Sequence, residues 1–273
     1  MKVALAQLTS GVDPTRNAAI LVDAVAEAAS GGAGMLFTPE MSGLIDRDRQ
    51  RAAAALRDEA DDPVLAAVAA AAARHGIWVH IGSLAVRTGA GRLANRAFVI
   101  DDTGTVRARY DKLHLFDVDL PSGESWRESA AYQPGEDAVV VQTPVGALGL
   151  SICYDLRFAD LYRALSDAGA SVLAIPAAFT QPTGAAHWHV LMRARAIEAA
   201  AYVVAAAQTG VHEDGRTTYG HSLVVDPWGE IVLDMRDARG VGFAELDPTR
   251  VAEVRMRIPV LAHRRPIPPV RRL

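Results

Sequence analysis

The chain has 273 residues, half of them hydrophobic and 22% charged, which suits a large core and argues against general disorder. A formal net charge of −4 without a basic stripe leaves no sign of a nucleic-acid partner. The single cysteine excludes an intrachain disulfide framework and a cysteine-rich metal site, and no stretch reaches the roughly 20 apolar residues of a membrane span.

In chain order, the opening MKVALAQLTSG is too short for a secretory signal and reads as a strand over 2–8. A helix follows over 15–29, with Ile20, Val22, Val25 and Ala29 at near-helical spacing. Gly31, Gly32 and Gly34 break it before a short strand over 35–37. A second, alanine-rich helix is predicted over 64–74, between Pro63 and Gly76, and a strand over 77–84. The pattern then changes to strand pairs joined by tight turns: 97–100 with 106–110, 139–141 with 147–152, and 221–225 with 231–234. Helices over 158–168 and 189–199 alternate with strands over 172–175 and 202–207.

Several strands are almost continuously apolar, so both faces of their sheets must be covered. The strands are too many for one Rossmann sheet, and the helices are too few for an eight-unit barrel. Two mixed sheets packed together with helices outside, a four-layer αββα sandwich of the α/β class, satisfy the pattern. The chain reads as a single domain over 1–273, with a C-terminal tail that contributes to packing or dimerisation. Residues 115–134 read as a partly polar excursion forming a lid or pocket wall.

Cys153 ends the apolar run 147–152 and leads toward a helix. A thiol at a strand exit can face a cleft with backbone N–H groups near a developing oxyanion. An inert core cysteine is the plainer reading. A thiol with an ordinary pKa of about 8.5 needs an activating partner. His114, His187, His189 and His221 lie near strand ends or loops and leave a Cys–His pair open. The other solution is a carboxylate as proton acceptor with an ammonium to meet negative charge. Glu40 follows the strand 35–37 and Lys112 follows 106–110, the same carboxyl-end position that Cys153 occupies. Tyr154, next after the thiol, could give its N–H to the oxyanion.

The strings LFTPEMSG, YDKLHLFD and LGLSICYDLRF together resemble the Glu-Lys-Cys signature of the nitrilase, or carbon-nitrogen hydrolase, superfamily. The resemblance continues through FTQPTGAAHWHVLMRARAIE, AYVVAAAQTG and YGHSLVVDPWGE, nearly the whole chain. HLFDVDL and ARAIEAAAYVVAAAQTG tilt it toward the Nit branch, on the side of deaminated-glutathione amidases rather than omega-amidases. The resemblance implies αββα subunits paired as homodimers, and hydrolysis with no metal or organic cofactor. It makes Glu40, Lys112 and Cys153 the catalytic set. Glu128, in ESAAYQPGE, matches a second glutamate that supports the lysine and the substrate; its plainer reading is a solvated loop residue.

Arg157 is positioned to hold a substrate carboxylate or to brace the nucleophile turn by pairing with Asp155. Thr183 and His187 precede a helix and are candidate pocket residues, with neighbouring Trp188 a candidate core anchor. Neither an HExxH nor a GxGxxG string occurs, and Asp46 with Asp48 is too small a cluster for calcium. The expected activity is hydrolysis, with water, of the terminal carboxamide of a small anionic acid, with deaminated glutathione preferred, through a cysteine thioester that releases ammonia and a carboxylate. Omega-amidase action on short 2-oxo acid amides, cysteine-dependent acyl transfer and a noncatalytic binding role are the alternatives. A lone thiol points to the reducing cytoplasm.

Overall fold

The computed structural model describes residues 1–89, 91–119, 123 and 125–272. Strand β1 (Lys2–Gln7) leads into helix α1 (Pro14–Ser30), which begins where the Asp13 carboxylate accepts the Thr15 N–H at 2.8 Å. Strand β2 (Met35–Phe37), the short helix α2 (Arg49–Ala55), helix α3 (Pro63–His75) and strand β3 (Trp78–Arg87) follow. Helix α3 starts on an Asp62 cap and stops at Gly76, whose φ of 62° suits glycine. Strands β4 (Leu93–Ile100) and β5 (Val106–Asp111) extend the first sheet in the order β1-β2-β3-β4-β5. Strands β1, β2 and β3 are parallel, and β4 is antiparallel to both β3 and β5. Strands β2 and β5 therefore end at the same edge.

A hairpin of β6 (Asp117–Asp119) and β7 (Ser125–Arg127) stands in the expected polar excursion; residues 120–122 and 124 of that excursion lie outside the described residues. The second sheet is built from β8 (Val140–Thr143), β9 (Gly146–Leu150), helix α4 (Ala159–Asp167), β10 (Val172–Ala174), helix α5 (Gln181–Ala199) and β11 (Tyr202–Ala205). After a second hairpin, β12 (Thr209–Val211) with β13 (Thr217–Tyr219), it is completed by β14 (Leu223–Val225) and β15 (Ile231–Asp234), in the order β8-β9-β10-β11-β14-β15. Strand β16 (Gly240–Glu245) then returns to lie antiparallel to β1, and helix α6 (Pro248–Arg257) follows.

Alternation along the strands makes the layers. Val3, Leu5, Met35 and Phe37 share an apolar cluster with Leu148, Leu150 and Leu173 of the second sheet. Their neighbours Ala4, Ala6 and Leu36 cluster instead with Leu21 and Val25 of α1 and Val68 of α3. Leu161 and Leu165 of α4 and Met192 of α5 join the cluster of the second sheet. The result is the four-layer αββα sandwich with two mixed sheets.

Several boundaries differ from the sequence pattern: β3 runs on to Arg87 and β4 starts at Leu93, while β9 and β11 stop two residues early. Helix α5 begins at Gln181 rather than at residue 189, because Pro182, Thr183 and Gly184 carry little helix signal. Gly184 is required there, since a Cβ would stand 2.3 Å from the Tyr219 ring. The strand expected over 221–225 shortens to begin at Leu223, as His221 takes a left-handed φ of 56°. The Arg264 side chain bonds to Ser166 and Asp167, so this part of the tail rests on α4.

Candidate active site

Glu40, Lys112 and Cys153 lie just past the ends of β2, β5 and β9. The turn carrying Glu40 is held by the Thr38 N–H on the His80 carbonyl (2.9 Å) and the Gly82 N–H on Thr38 Oγ1 (3.1 Å). The Gln208 side-chain amide donates to the Glu40 carbonyl at 3.0 Å, a tie from the segment after β11. Lys112 prolongs the β4–β5 pairing by donating its N–H to the Asn95 carbonyl at 2.9 Å. The Cys153 N–H donates to the Pro176 carbonyl at 2.9 Å, and its φ of 49° is left-handed. Such a conformation costs about 1–3 kcal/mol and persists only where its surroundings enforce it. Asp155 is one of them: it accepts the Ile152 N–H (2.9 Å), the His114 N–H (3.0 Å) and the Tyr110 hydroxyl (2.7 Å). The nucleophile turn is thereby tied to the residues flanking Lys112.

The side chains converge. Lys112 Nζ lies 2.9 Å from Glu40 Oε1 and 2.9 Å from Glu128 Oε2. Asn95 Nδ2 donates to both carboxylates at 3.0 Å. Glu40 Oε2 accepts the Ala178 N–H at 2.9 Å, and Glu128 Oε2 accepts the Phe116 N–H at 2.7 Å. The Cys153 thiol stands close enough to the Glu40 carboxylate for the two to perturb each other's protonation.

Glu40, Lys112 and Cys153 are only 4%, 2% and 8% exposed, so their charges act with little solvent screening. Burial alone would raise Glu40, but the Lys112 charge and hydrogen bonds from Cys153, Lys112 and Asn95 outweigh it and hold the carboxyl below its ordinary value. Burial pushes the Cys153 thiol well up, and the neighbouring Glu40 charge pushes the same way. For Lys112 burial disfavours the charge, yet Glu128 and Glu40 overcome it and keep the ammonium protonated. The site therefore rests as thiol, carboxylate and ammonium, with the carboxylate beside the thiol.

The profile of the carbon-nitrogen hydrolase family matches residues 2–256. The chain belongs to that family. It is 40% identical over 270 residues to the deaminated glutathione amidase of Yersinia enterocolitica, covering 96% of this chain and 92% of that protein. The crystal structure of the C. elegans NitFhit protein matches with a TM-score of 0.90 at 39% identity, covering 97% of this chain and 65% of that chain. A mutant amidase of Nesterenkonia sp. AN1, with the acetamide moiety of fluoroacetamide added covalently at its active-site cysteine, matches with a TM-score of 0.82 at 28% identity. That match covers 97% of this chain and 94% of that chain. This carbon-nitrogen hydrolase is an amidase.

In this carbon-nitrogen hydrolase a cavity of about 1210 Å³ opens over Glu40, Lys112 and Cys153. Tyr154, Arg157 and Thr183 line it. His187 does not; its Nδ1 lies 3.3 Å from both Nη atoms of Arg157. Arg157 does not brace Asp155, whose oxygens are taken by Tyr110, His114 and Ile152, and its guanidinium instead lies 5.5 Å over the Phe179 ring. Glu128 is no solvated loop residue, being held by Lys112, Asn95 and the Phe116 N–H. Trp188 is a core anchor, its indole N–H on the His221 carbonyl at 2.8 Å.

The Cys–His pairing is not built. His114 stacks on Phe158 and bonds Asp155, while His189 and His221 both bond Asp234. His189, His221 and Asp234 hold ligand-capable atoms within 4.8 Å of one another, away from the cavity lining, and already satisfy one another by hydrogen bonds. Sequence reading missed Asn95, although a polar residue amid LANRAFVI was a usable signal. It could not find the Ala178 and Phe116 N–H groups, because a backbone donor leaves no mark on residue type.

Proposed function

We propose that this amidase cleaves the amide of deaminated glutathione through a Cys153 thioester. The observation that carries the reading is the buried convergence of Glu40, Lys112 and Cys153 beneath a cavity large enough for a peptide-like substrate. Because burial keeps the thiol protonated at rest, the proton passes to Glu40 as sulfur attacks the amide carbon. An ammonium has three donors, and two of those of Lys112 are spent on Glu40 and Glu128. The third meets the oxyanion, with the Tyr154 N–H as a second donor. As the C–N bond breaks, Glu40 returns its proton to the departing nitrogen. Water then gives Glu40 a proton and attacks the thioester; the C–S bond breaks and sulfur takes the proton back, freeing a carboxylate.

Glutathione contains no primary carboxamide, so hydrolysis next to its 2-oxo acyl chain releases an amine, cysteinylglycine. The ammonia expected from the sequence belongs to the short 2-oxo acid amides. A small-molecule site commonly measures about 300–1,000 Å³; the cavity here, about 1210 Å³, favours the longer substrate. The test offers both amides to the purified protein, measures released amine and ammonia, and seeks the substrate-derived thioester by intact mass. Amine release from deaminated glutathione, lost in Cys153→Ala, is expected. Full turnover by Cys153→Ala refutes the chemistry, and turnover of the short amide alone refutes the substrate.

The homodimer implied by the resemblance is supported by exposed Val190 and Ile197 on α5 and Trp228 beyond it; light scattering that gave a monomer mass would remove it. Among the described residues no helix is long and apolar enough to cross a membrane. A cytoplasmic site of action is proposed from the need to keep Cys153 reduced, and fractionation checks it.

A further inference from the structure

One wall of the cavity has no part in the chemistry above. Arg216, in the turn before β13, lines it together with Trp126, and its guanidinium carbon stands 4.6 Å from the Trp126 ring centroid. The Arg216 side chain is 17% exposed. Among the described residues its carboxylate contact is Asp214 at 3.4 Å, and its Nε has no hydrogen-bond partner. Burial pulls this guanidinium below the ordinary arginine range. A buried cation short of acceptors is costly and gains most from a charged one.

Three further observations say what would fit. The described lining carries eight basic and four acidic side chains, whereas the whole chain is −4, so the cavity favours an anion. Its three ring-mounted arginines sit on two platforms: Arg157 over Phe179 on the nucleophile side, Arg216 and Arg47 over Trp126. Finally, Glu40 and Arg216 line the same cavity, and Glu40 is the group that hands a proton to the departing nitrogen. An amine half held on the Glu40 side of the thiol has Arg216 within the same cavity.

We propose that Arg216, mounted on Trp126, binds a carboxylate on the amine half of the substrate, so that the enzyme selects amides whose leaving group is an acid-bearing amine such as a dipeptide. This rests on the deaminated-glutathione reading above and assigns a binding residue to the amine half of that substrate.

The experiment compares deaminated glutathione with the same compound capped as its C-terminal carboxamide, following released amine with fluorescamine. A charged hydrogen-bond pair is worth roughly a 10- to 100-fold effect, and it is expected in KM more than in kcat when wild-type enzyme meets the capped substrate. Arg216→Gln collapses that discrimination to within about threefold, and Arg216→Lys retains an intermediate part of it. The ratio is read within one enzyme preparation, so partial loss of folded protein does not imitate it. If Arg216→Gln does not fold, the wild-type and Arg216→Lys comparisons still decide. Equal wild-type rates on acid and capped amide, or an unchanged ratio in Arg216→Gln, overturn the subsite while leaving the amidase reading intact. Hydrolysis of a short primary 2-oxo amide with no amine from either longer compound overturns the subsite together with the deaminated-glutathione substrate, and leaves the amidase activity standing.

Discussion

Replacing Glu128 with glutamine, Glu128→Gln, preserves shape while removing one charge, and the geometry says why shape is not enough. Oε1 accepts from Asn95 Nδ2 and Lys112 Nζ, and Oε2 accepts from Lys112 Nζ and the Phe116 N–H. Every partner is a donor, so whichever way the new amide is turned, its NH2 faces another donor. The change forfeits a charge-assisted bond of about 1.5–3 kcal/mol and strands a buried donor at about 1–3 kcal/mol. Lys112 stands between two carboxylates, so losing one also relieves repulsion, and the folded state suffers less than that sum. If about 3–4 kcal/mol falls on the transition state, the acylation rate drops about 100- to 1,000-fold. A residual cost of about 2 kcal/mol in stability lowers Tm by about 4–8 °C. Quenched-flow single turnover, with intact mass for the thioester and calorimetry for Tm, separates the two. Acylation at the wild-type rate, or a Tm collapse that alone accounts for the loss, would refute the reasoning.

The resting protonation states predict the pH profile. Glu40 lies below its ordinary 4.5, so its base form is lost only as pH falls through that acidic range; Cys153 lies well above the ordinary thiol range, so no thiolate forms as pH rises through 8.5. The kcat/KM profile is therefore level between about pH 6 and 8.5, with slow iodoacetamide labelling at pH 7, and a limb near the ordinary thiol value would contradict this. A Cβ at Gly82 would lie 2.1 Å from the Thr38 carbonyl, 2.4 Å from Pro176 and 2.5 Å from the Pro39 carbonyl. Gly82→Ala is thus expected to cost about 3 kcal/mol or more, and a wild-type denaturation midpoint would show the contact to be yielding.

How much was legible from residue order follows from how local each signal is. Glu40, Lys112 and Cys153 each sit within three residues of a short strand end, and a strand end is marked by the apolar run before it. The limits of α3 were legible for the same reason, since Pro63 and Gly76 act on their own backbone. Strand β16 was not: GVGFAE has a weak strand pattern, and its place is settled by pairing with β1 across the length of the chain.

By itself the sequence determined the layered architecture and singled out Glu40, Lys112 and Cys153 as the groups proposed for the chemistry, because periodicity and turn chemistry act over a few residues. Only the tertiary structure decided what surrounds those groups. Asn95 between two carboxylates, the Ala178 N–H on Glu40 and Arg216 on Trp126 each join segments distant in the chain. The strength of those contacts depends on burial, which packing creates and residue order does not display.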